Sequence, residues 1–458
     1  MLALLLLAAP ACAEIRVLDE ATGRGVPLVE LRTVDAQRFV TDNAGRVAFG
    51  EPGLLGREVF LYVKSHGYEA RKDGFGFAGV RVTPVAGKAV TIKVKRVNIA
   101  ERLCRLTGRG LWRDSALLGH AVPKENNGLV AGQDSIQAAV YKGRAYWFWG
   151  DTLRSSYPLG LFRMAGATTA VPEGGLEEGI PYRYFTGKDG FARATMPLPE
   201  RPEGVVWVFS PSVVKDKDGK ERMAAHYSRR KGLVDELEQG VCVWDDGKEC
   251  FVSAKRLPAE EKWRHPKGHP IPWKEDGKEW LLYGSPTPNV RVPATLEDVL
   301  DPSKYEALGM DGKWGKDGPP ATSEQEKKSK AKEPRFLPSG VVLHSGSVRW
   351  NARRKRWVML AGQIGGTSHL GEVWYAEAKH PTGPFKKAVK VATHERMTFY
   401  NVCHHALLDR DGGRTIHFEG TYTNEFSGNP DRTPRYDYNQ VLYRLDLDDE
   451  RLKPARVE

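Results

Sequence analysis

Residues 138–149 read AAVYKGRAYWFW, two apolar runs joined by Lys142 and Gly143. Apolar and aromatic residues on both sides of a short glycine turn are typical of a β-hairpin. Four later segments repeat this unit, with turn centres at Gly219, Gly277, Arg354 and Gly412. Because each copy leaves room for two further strands, the repeat predicts five four-stranded blades of a β-propeller over residues 99–458.

The segment before the repeats, residues 14–98, has a different pattern. Short strand-like runs such as VFLYV at residues 59–63 alternate with stretches rich in Gly, Pro, Asp and Asn. This pattern predicts a small β-sandwich. The expected fold is therefore all-β, a small N-terminal β-sandwich followed by a five-bladed β-propeller. The polar, proline-containing residues 311–336 are predicted to form a mobile insertion between the third and fourth blades.

Composition and charge exclude several classes of protein. The 458 residues carry a net charge of +11, but the basic residues are scattered, which argues against a specific nucleic-acid partner. Beyond the first dozen residues no apolar run is long enough for an integral membrane span. No phosphate-binding or dinucleotide-binding glycine motif is present, which argues against nucleotide-driven chemistry.

The N-terminus and the cysteines bear on the compartment. Residues 1–13, MLALLLLAAPACA, have the apolar run and small-residue end of a signal peptide, which predicts a secreted, periplasmic or cell-surface protein. Cys242 and Cys250 flank a turn at Trp244 to Gly247. With a three-residue loop they would face each other, so we expect a disulfide between them. The absence of a CxxC pair disfavours a structural zinc site.

Chemistry is expected where the first strands of the five blades converge. Asp134 precedes the first hairpin and is the candidate general base, and Asp151 ends the next strand. Further candidates for catalysis or substrate binding are Gln133, His269, Arg349, Glu372, His405 and Glu419. Glu419 suits proton donation or a buried pair with Arg435. Arg435 and Tyr436 suit a sugar ring or closure of the ring of blades.

His404 and His405 are adjacent in a predicted strand, so one of them must point inward. The inward histidine can act as a general acid, as a metal ligand in the channel, or as a structural residue. No cofactor is required by the first of these roles. A divalent cation such as calcium in the central channel is the alternative.

Two family resemblances are visible. Residues 19–27 (DEATGRGVP), 41–47 (TDNAGRV) and 65–68 (SHGY) resemble the carboxypeptidase regulatory-like, or transthyretin-like, domain. Residues 150–152 (GDT), 371–378 (GEVWYAEA), 380–385 (HPTGPF) and 418–422 (FEGTY) resemble the five-bladed propeller glycoside hydrolases, the arabinanase and xylosidase superfamily.

The second resemblance implies that Asp134 is the general base of an inverting hydrolysis and that His404 or His405 lies on the channel axis. Ser212 and His269 stand where the family has further carboxylates. The sequence thus supports an exported glycoside hydrolase acting on a polysaccharide, for which the basic charge favours anionic glycans. A non-catalytic carbohydrate-binding or adhesion propeller, and a metal-dependent hydrolase of another class, remain as alternatives.

Overall fold

The computed structural model describes residues 12–126, 128–154, 164–232, 235–258, 262–318, 337, 340–433 and 437–458. The described chain is all-β, as predicted from the sequence. Its α-helices are single turns, Arg113–Leu117 (α1) and Leu296–Val299 (α2). None of the helices in the described ranges has the length and apolar character needed to cross a membrane. Nearly all of the predicted signal peptide lies outside these ranges.

The first eight strands form two four-stranded sheets. They are Ala13–Asp19 (β1), Glu30–Arg32 (β2), Arg38–Val40 (β3), Arg46–Phe49 (β4), Val59–Lys64 (β5), Tyr68–Glu69 (β6), Gly79–Val82 (β7) and Ala89–Arg96 (β8). One sheet has the order β4-β1-β8-β6, and the other has the order β3-β2-β5-β7. We call residues 13–96 the N-terminal unit.

The two sheets of the N-terminal unit share one apolar core. Successive side chains of a strand point to opposite faces, and β1 accordingly buries Ile15 and Val17 while Arg16 between them is partly exposed. Leu31 and Leu61 of the other sheet belong to the same buried cluster. Burial of each such aliphatic side chain contributes about 1.5–3 kcal/mol, so the alternating pattern holds the sheets face to face.

The remaining strands follow a second plan. They are Glu101–Arg105 (β9), Val130–Gln133 (β10), Gln137–Tyr141 (β11), Arg144–Phe148 (β12), Thr152–Arg154 (β13), Gly166–Ala170 (β14), Arg183–Tyr184 (β15), Val205–Lys215 (β16), Glu221–Lys231 (β17), Asp235–Asp245 (β18), Cys250–Leu257 (β19), Ile271–Glu275 (β20), Lys278–Gly284 (β21), Pro288–Pro293 (β22), Glu306–Leu308 (β23), Trp314–Gly315 (β24), Leu343–Asn351 (β25), Arg356–Gln363 (β26), Val373–Ala378 (β27), Ala388–Ala392 (β28), Thr398–His404 (β29), Thr415–Thr423 (β30) and Asn439–Asp446 (β31). Short 3₁₀ turns lie at Leu176–Glu178, Lys262–Arg264, Pro302–Lys304, Ala406–Leu408, Asp411–Gly413 and Glu450–Ala455.

These strands build five successive antiparallel sheets. Their orders are β11-β12-β14-β15, β16-β17-β18-β19, β20-β21-β22-β23-β24, β25-β26-β27-β28 and β29-β30-β31-β9. β10 and β13 form a separate two-stranded ribbon. The first strands of all five sheets, β11, β16, β20, β25 and β29, contribute side chains to one cavity of about 480 Å³, here called the central cavity. The five sheets are therefore arranged around a common centre.

The fifth sheet joins the two ends of this region. β9 precedes every other strand of the five sheets in sequence, yet it pairs with β31, and Cys104 lies opposite Leu442. The outer strand of the last sheet thus comes from the start of the region. The pairing links the start of the region to its last sheet. It also satisfies the backbone donors and acceptors at the outer edge of β31.

Four of the five predicted hairpin turns are tight, and the fifth is different. The hairpins centred on Gly143, Gly219, Gly277 and Arg354 join the first and second strands of their sheets. Between β29 and β30 the chain instead makes two 3₁₀ turns, and Leu408 of the first turn is fully buried. Residues 406–408 are therefore not the strand that the sequence repeat predicted.

The predicted disulfide is wrong. Cys242 and Cys250 are both free thiols. The register between β18 and β19 sets Cys242 opposite Ser253 and Cys250 opposite Asp245, because the connecting loop is four residues long rather than three. The Cys242 thiol instead donates a hydrogen bond to the Ala225 carbonyl, 3.3 Å away.

The predicted insertion begins within a sheet. Residues 314 and 315 form β24, which pairs with β23 as the fifth strand of the third sheet. Residues 319–336 lie outside the described ranges.

Candidate functional site

Asp134 is held by groups from two other parts of the chain. It lies between β10 and β11, where its Oδ1 accepts a hydrogen bond from the Asp151 amide at 2.9 Å. Its Oδ2 accepts one from the Tyr400 hydroxyl at 2.9 Å, which reaches it from β29. Gly150 packs against the same carboxylate, where a side chain would not fit. Asp134 is thus fixed as an acceptor in one orientation.

Asp151 is a second carboxyl group close to Asp134. It directly follows Gly150, before β13, and only 9% of its surface is exposed. The indole Nε1 of Trp207, from the second sheet, donates a hydrogen bond of 2.9 Å to its Oδ1. The structure therefore brings together Asp134 and Asp151, both of which the sequence nominated, and adds Trp207 and Tyr400. We call these four residues the acidic site.

The two carboxyl groups of the acidic site differ in their surroundings. Burial and then the negative charge of Asp134 raise the pKa of Asp151 to about 7, and the Trp207 hydrogen bond opposes both effects. Burial also raises the pKa of Asp134, but hydrogen bonds from Tyr400, Tyr438, Ser135 and the Asp151 amide favour its ionised form. The hydrogen bonds to Asp134 therefore favour its ionised form, whereas the surroundings of Asp151 favour its protonated form.

Further acidic and aromatic side chains surround the acidic site. Burial raises the pKa of Glu425, and the negative charge of Asp134 raises it further. Asp437 also has a raised pKa because of burial, and raises that of Glu425 in turn. The Phe426 ring is 65% exposed and lies 5.9 Å from the Tyr400 ring. Acidic groups therefore cluster here although the whole chain is basic, and the positive charge of Arg432 acts on both Glu425 and Asp437.

Gln133, the residue before Asp134, supports the acidic site through hydrogen bonds. It is fully buried, its Nε2 donates to Thr152 Oγ1 at 3.2 Å, and its Oε1 accepts from the Tyr184 hydroxyl at 2.8 Å. Gln440 Nε2 donates to its backbone carbonyl at 3.0 Å. Gln133 therefore positions β10 and Asp134 rather than facing a ligand.

His405 and Glu419 form a second cluster, with Cys403 and His269. His405 Nε2 lies 2.6 Å from Glu419 Oε1, and its Nδ1 lies 3.7 Å from Cys403 Sγ. His269 Nδ1 is 3.5 Å from the same sulfur. Tyr400 contacts Asp134 from the start of β29, whereas His405 follows its last residue. Because a strand rises about 3.3 Å per residue, the two clusters lie at different levels along β29.

The other nominated residues lie elsewhere. Arg349 Nη1 donates to the carbonyls of His269 and Pro270, and its side chain lines the central cavity. Glu372 is ion-paired with Lys390 Nζ at 3.0 Å. Arg435 and Tyr436 lie outside the described residues, so a pair between Glu419 and Arg435 stays a prediction.

His404 and His405 have different neighbours. Its Nε2 lies 2.9 Å from Asp409 Oδ1, whereas the Nε2 of His405 faces Glu419. Within the described ranges no group of three or more His, Cys, Asp or Glu side chains is arranged to hold a metal ion. The two adjacent histidines serve different carboxylates.

Sequence reasoning missed Trp207, Tyr400 and Cys403. One backbone signal accompanies them: Ser135, just before β11, and Ser210 and Asn401, at register irregularities inside β16 and β29, have φ angles of 53°, 54° and 53°. Non-glycine residues rarely adopt this left-handed conformation, and such strain concentrates at functional sites. Propensity patterns do not reveal it.

Comparisons with known proteins give a fold likeness only. No protein-family model matches the chain, and no curated protein matches it. Among solved structures, a putative hydrolase from Bacteroides ovatus aligns with a TM-score of 0.45 and 14% identity, covering 69% of this chain and 86% of that one. A putative exo-β-1,3-galactanase from Bifidobacterium bifidum aligns with a TM-score of 0.43 and 12% identity, covering 76% of this chain and 94% of that one. A GH43_1 enzyme from Xanthomonas citri, solved with xylotriose, aligns with a TM-score of 0.36 and 11% identity, covering 69% of this chain and 87% of that one. All three likenesses have identities of 14% or lower and TM-scores of 0.45 or lower.

Proposed function

We propose that this protein hydrolyses glycosidic bonds, on a five-bladed β-propeller that carries Asp134 and Asp151 at its active site. The observation that carries the proposal is the pairing of two carboxyl groups whose surroundings favour different protonation states. Pairs of carboxyl groups with separated pKa values supply the acid and the base of most glycoside hydrolases. Asp151, rather than His405 or Glu419, is the proton donor in this proposal.

The proposed reaction uses each carboxyl group once. Asp134, ionised, takes a proton from a water molecule as the water oxygen bonds to the anomeric carbon. Asp151, protonated, gives its proton to the glycosidic oxygen as the bond from that oxygen to the anomeric carbon breaks. Inversion at the anomeric carbon belongs to the proposal, and NMR of the first-formed anomer tests it.

The surroundings favour a neutral glycan as substrate. Glu425 and Asp437 add negative charge around Asp134 and Asp151. A sulfated or uronic-acid chain would meet repulsion there, whatever the net charge of the whole protein. The exposed Phe426 ring offers an apolar face of the kind that stacks on sugar rings. We therefore favour neutral arabinans, galactans and xylans over the anionic glycans that the basic composition suggested.

The test is release of new reducing ends from a panel of neutral and sulfated polysaccharides. Asp134→Asn and Asp151→Asn should each lower the rate by a factor of about 10² or more, because each removes one proton-transfer group. Asp317→Asn, at an exposed position away from the acidic site, is the matched control. Unchanged turnover in Asp134→Asn would contradict the proposal.

The second candidate function is carbohydrate binding without catalysis, and the exposed Phe426 ring beside Tyr400 favours it. Saturable binding of an oligosaccharide with no reducing ends formed over long incubation would support it. In that case Phe426→Ala should weaken binding. Turnover should be zero in the unaltered protein and in Asp151→Asn alike.

We also propose that the protein is exported and that its N-terminal unit is a carboxypeptidase regulatory-like domain. Support comes from the composition of residues 1–13 and from the two stacked sheets of the unit. Cell fractionation with N-terminal sequencing of the mature protein tests the export.

A further inference from the structure

The central cavity contains chemistry that the acidic site does not use. It is lined by side chains that include Val140, Ser212, Ile271, Arg349, Trp357 and Cys403. Val140 and the neighbouring Trp350 are partly exposed, so the cavity opens to the surface. Cys403 is 1% exposed and lines this cavity.

Strand register places three reactive side chains in line. Cys403 and Glu419 are cross-strand partners in β29 and β30. His405 follows two residues after Cys403 and lies between them: its Nδ1 is 3.7 Å from Cys403 Sγ, and its Nε2 is 2.6 Å from Glu419 Oε1. A thiol, an imidazole that contacts it and a carboxylate that orients the imidazole are the parts of a nucleophilic triad.

Burial raises the pKa of Glu419, and the hydrogen bond from His405 opposes this effect; the electrostatics of Cys403 and His405 agree with the geometry. Burial by itself raises the pKa of a thiol, but His269 and His405 outweigh it and hold the pKa of Cys403 well below its usual value. Burial lowers the pKa of His405, yet Cys403 and Glu419 raise it to about 10. Both shifts favour a thiolate beside an imidazolium, and the thiolate is the nucleophilic form of cysteine.

We propose that Cys403, His405 and Glu419 form a second catalytic centre, which hydrolyses small acyl esters that enter the central cavity. The cavity volume of about 480 Å³ and its apolar lining suit a short acyl group rather than a polysaccharide chain. His269 is a positioning residue that holds the sulfur from the other side.

The proposed reaction has two steps. The Cys403 thiolate attacks the acyl carbon, an S–C bond forms, and the ester C–O bond breaks as the leaving oxygen takes the electron pair and a proton from the His405 imidazolium. Water then attacks the thioester carbon while His405 accepts its proton. The C–S bond breaks, the carboxylic acid leaves, and the thiolate is restored.

The first experiment uses the folded, unaltered protein and iodoacetamide, with peptide mass spectrometry at each cysteine. We expect Cys403 to be alkylated about tenfold or more faster than Cys104 and Cys242 at pH 6–7. Burial raises the pKa of Cys104 to about 12 and that of Cys242 well above its usual value, so both serve as internal controls. Equal rates at Cys403 and Cys104 would overturn the proposal without any variant having to fold.

The second experiment uses p-nitrophenyl acetate. We expect an acetyl group on Cys403 in intact-mass and peptide spectra, and release of p-nitrophenol that Cys403→Ser and His405→Gln each reduce by a factor of about 10² or more. Glu419→Gln should shift the pH profile of the release, which a purely structural residue would not do. Cys250→Ser, a free thiol away from the central cavity, is the control. Selective alkylation of Cys403 without acetylation would rule out the acyl-transfer chemistry.

Discussion

Gly150 lies so close to Asp134 that a Cβ atom at Gly150 would come within 2.1 Å of the Asp134 Oδ1 atom. Any side chain at this position must therefore displace the carboxylate. We expect Gly150→Ala to lower glycan hydrolysis by a factor of about 10², since small displacements of a catalytic group have effects of this size. Gly53→Ala, where a Cβ meets no atom within 4 Å, is the control for expression and folding. Full activity in Gly150→Ala would show that Asp134 is not the base.

Trp207 should set the alkaline limit of activity. Asp151 must be protonated to donate, so the rate falls as the pH rises through its pKa of about 7. The Trp207 hydrogen bond favours the ionised form, and Trp207→Phe removes it. The alkaline limb of the pH profile of kcat should therefore move up by about one pH unit. A shift toward lower pH would contradict this assignment.

Tyr400 should set the acidic limit. Its hydroxyl donates to the Asp134 carboxylate and so favours the ionised base. Tyr400→Phe removes one of several donors, which raises the pKa of Asp134 and moves the acidic limb of the profile upward by about half a pH unit or more. The alkaline limb should move much less. Tyr62→Phe, in the N-terminal unit, should change neither limb.

Arg102 of β9 should contribute strongly to stability. Its guanidinium donates to the carbonyls of Pro27 and His66 at 3.1 and 3.0 Å and to Ser65 Oγ at 2.6 Å, all in the N-terminal unit. Arg102→Met removes the Arg102 donor from these buried and half-buried acceptors, and we expect a loss of about 3 kcal/mol in the free energy of unfolding in urea. Arg353→Met removes only an exposed ion pair with Asp448 and should cost less than about 1 kcal/mol.

The sequence predicted the all-β class and both carboxyl groups of the acidic site, for physical reasons. The hairpin around Gly143 is local, so its turn chemistry and apolar pattern are visible in a dozen residues. Asp134 and Asp151 flank that hairpin and are brought together by the same pairing. Sequence separation therefore posed no obstacle for them.

The partners of these carboxyl groups could not be predicted in the same way. Trp207 and Tyr400 reach Asp151 and Asp134 from other sheets, 56 and 266 residues away in the chain. Only the arrangement of sheets decides such contacts. The disulfide failed for a related reason: one extra loop residue between Cys242 and Cys250 changes the register, which period-two patterns do not determine.

The pairing of β9 with β31 has a consequence for shortened versions of this protein. A version that begins after Arg105 loses the N-terminal unit and, with it, the outer strand of the last sheet. The backbone donors and acceptors of β31 would then face solvent as an open template for strands of other molecules, and self-association would follow. Versions meant to isolate the five sheets should begin upstream of Glu101.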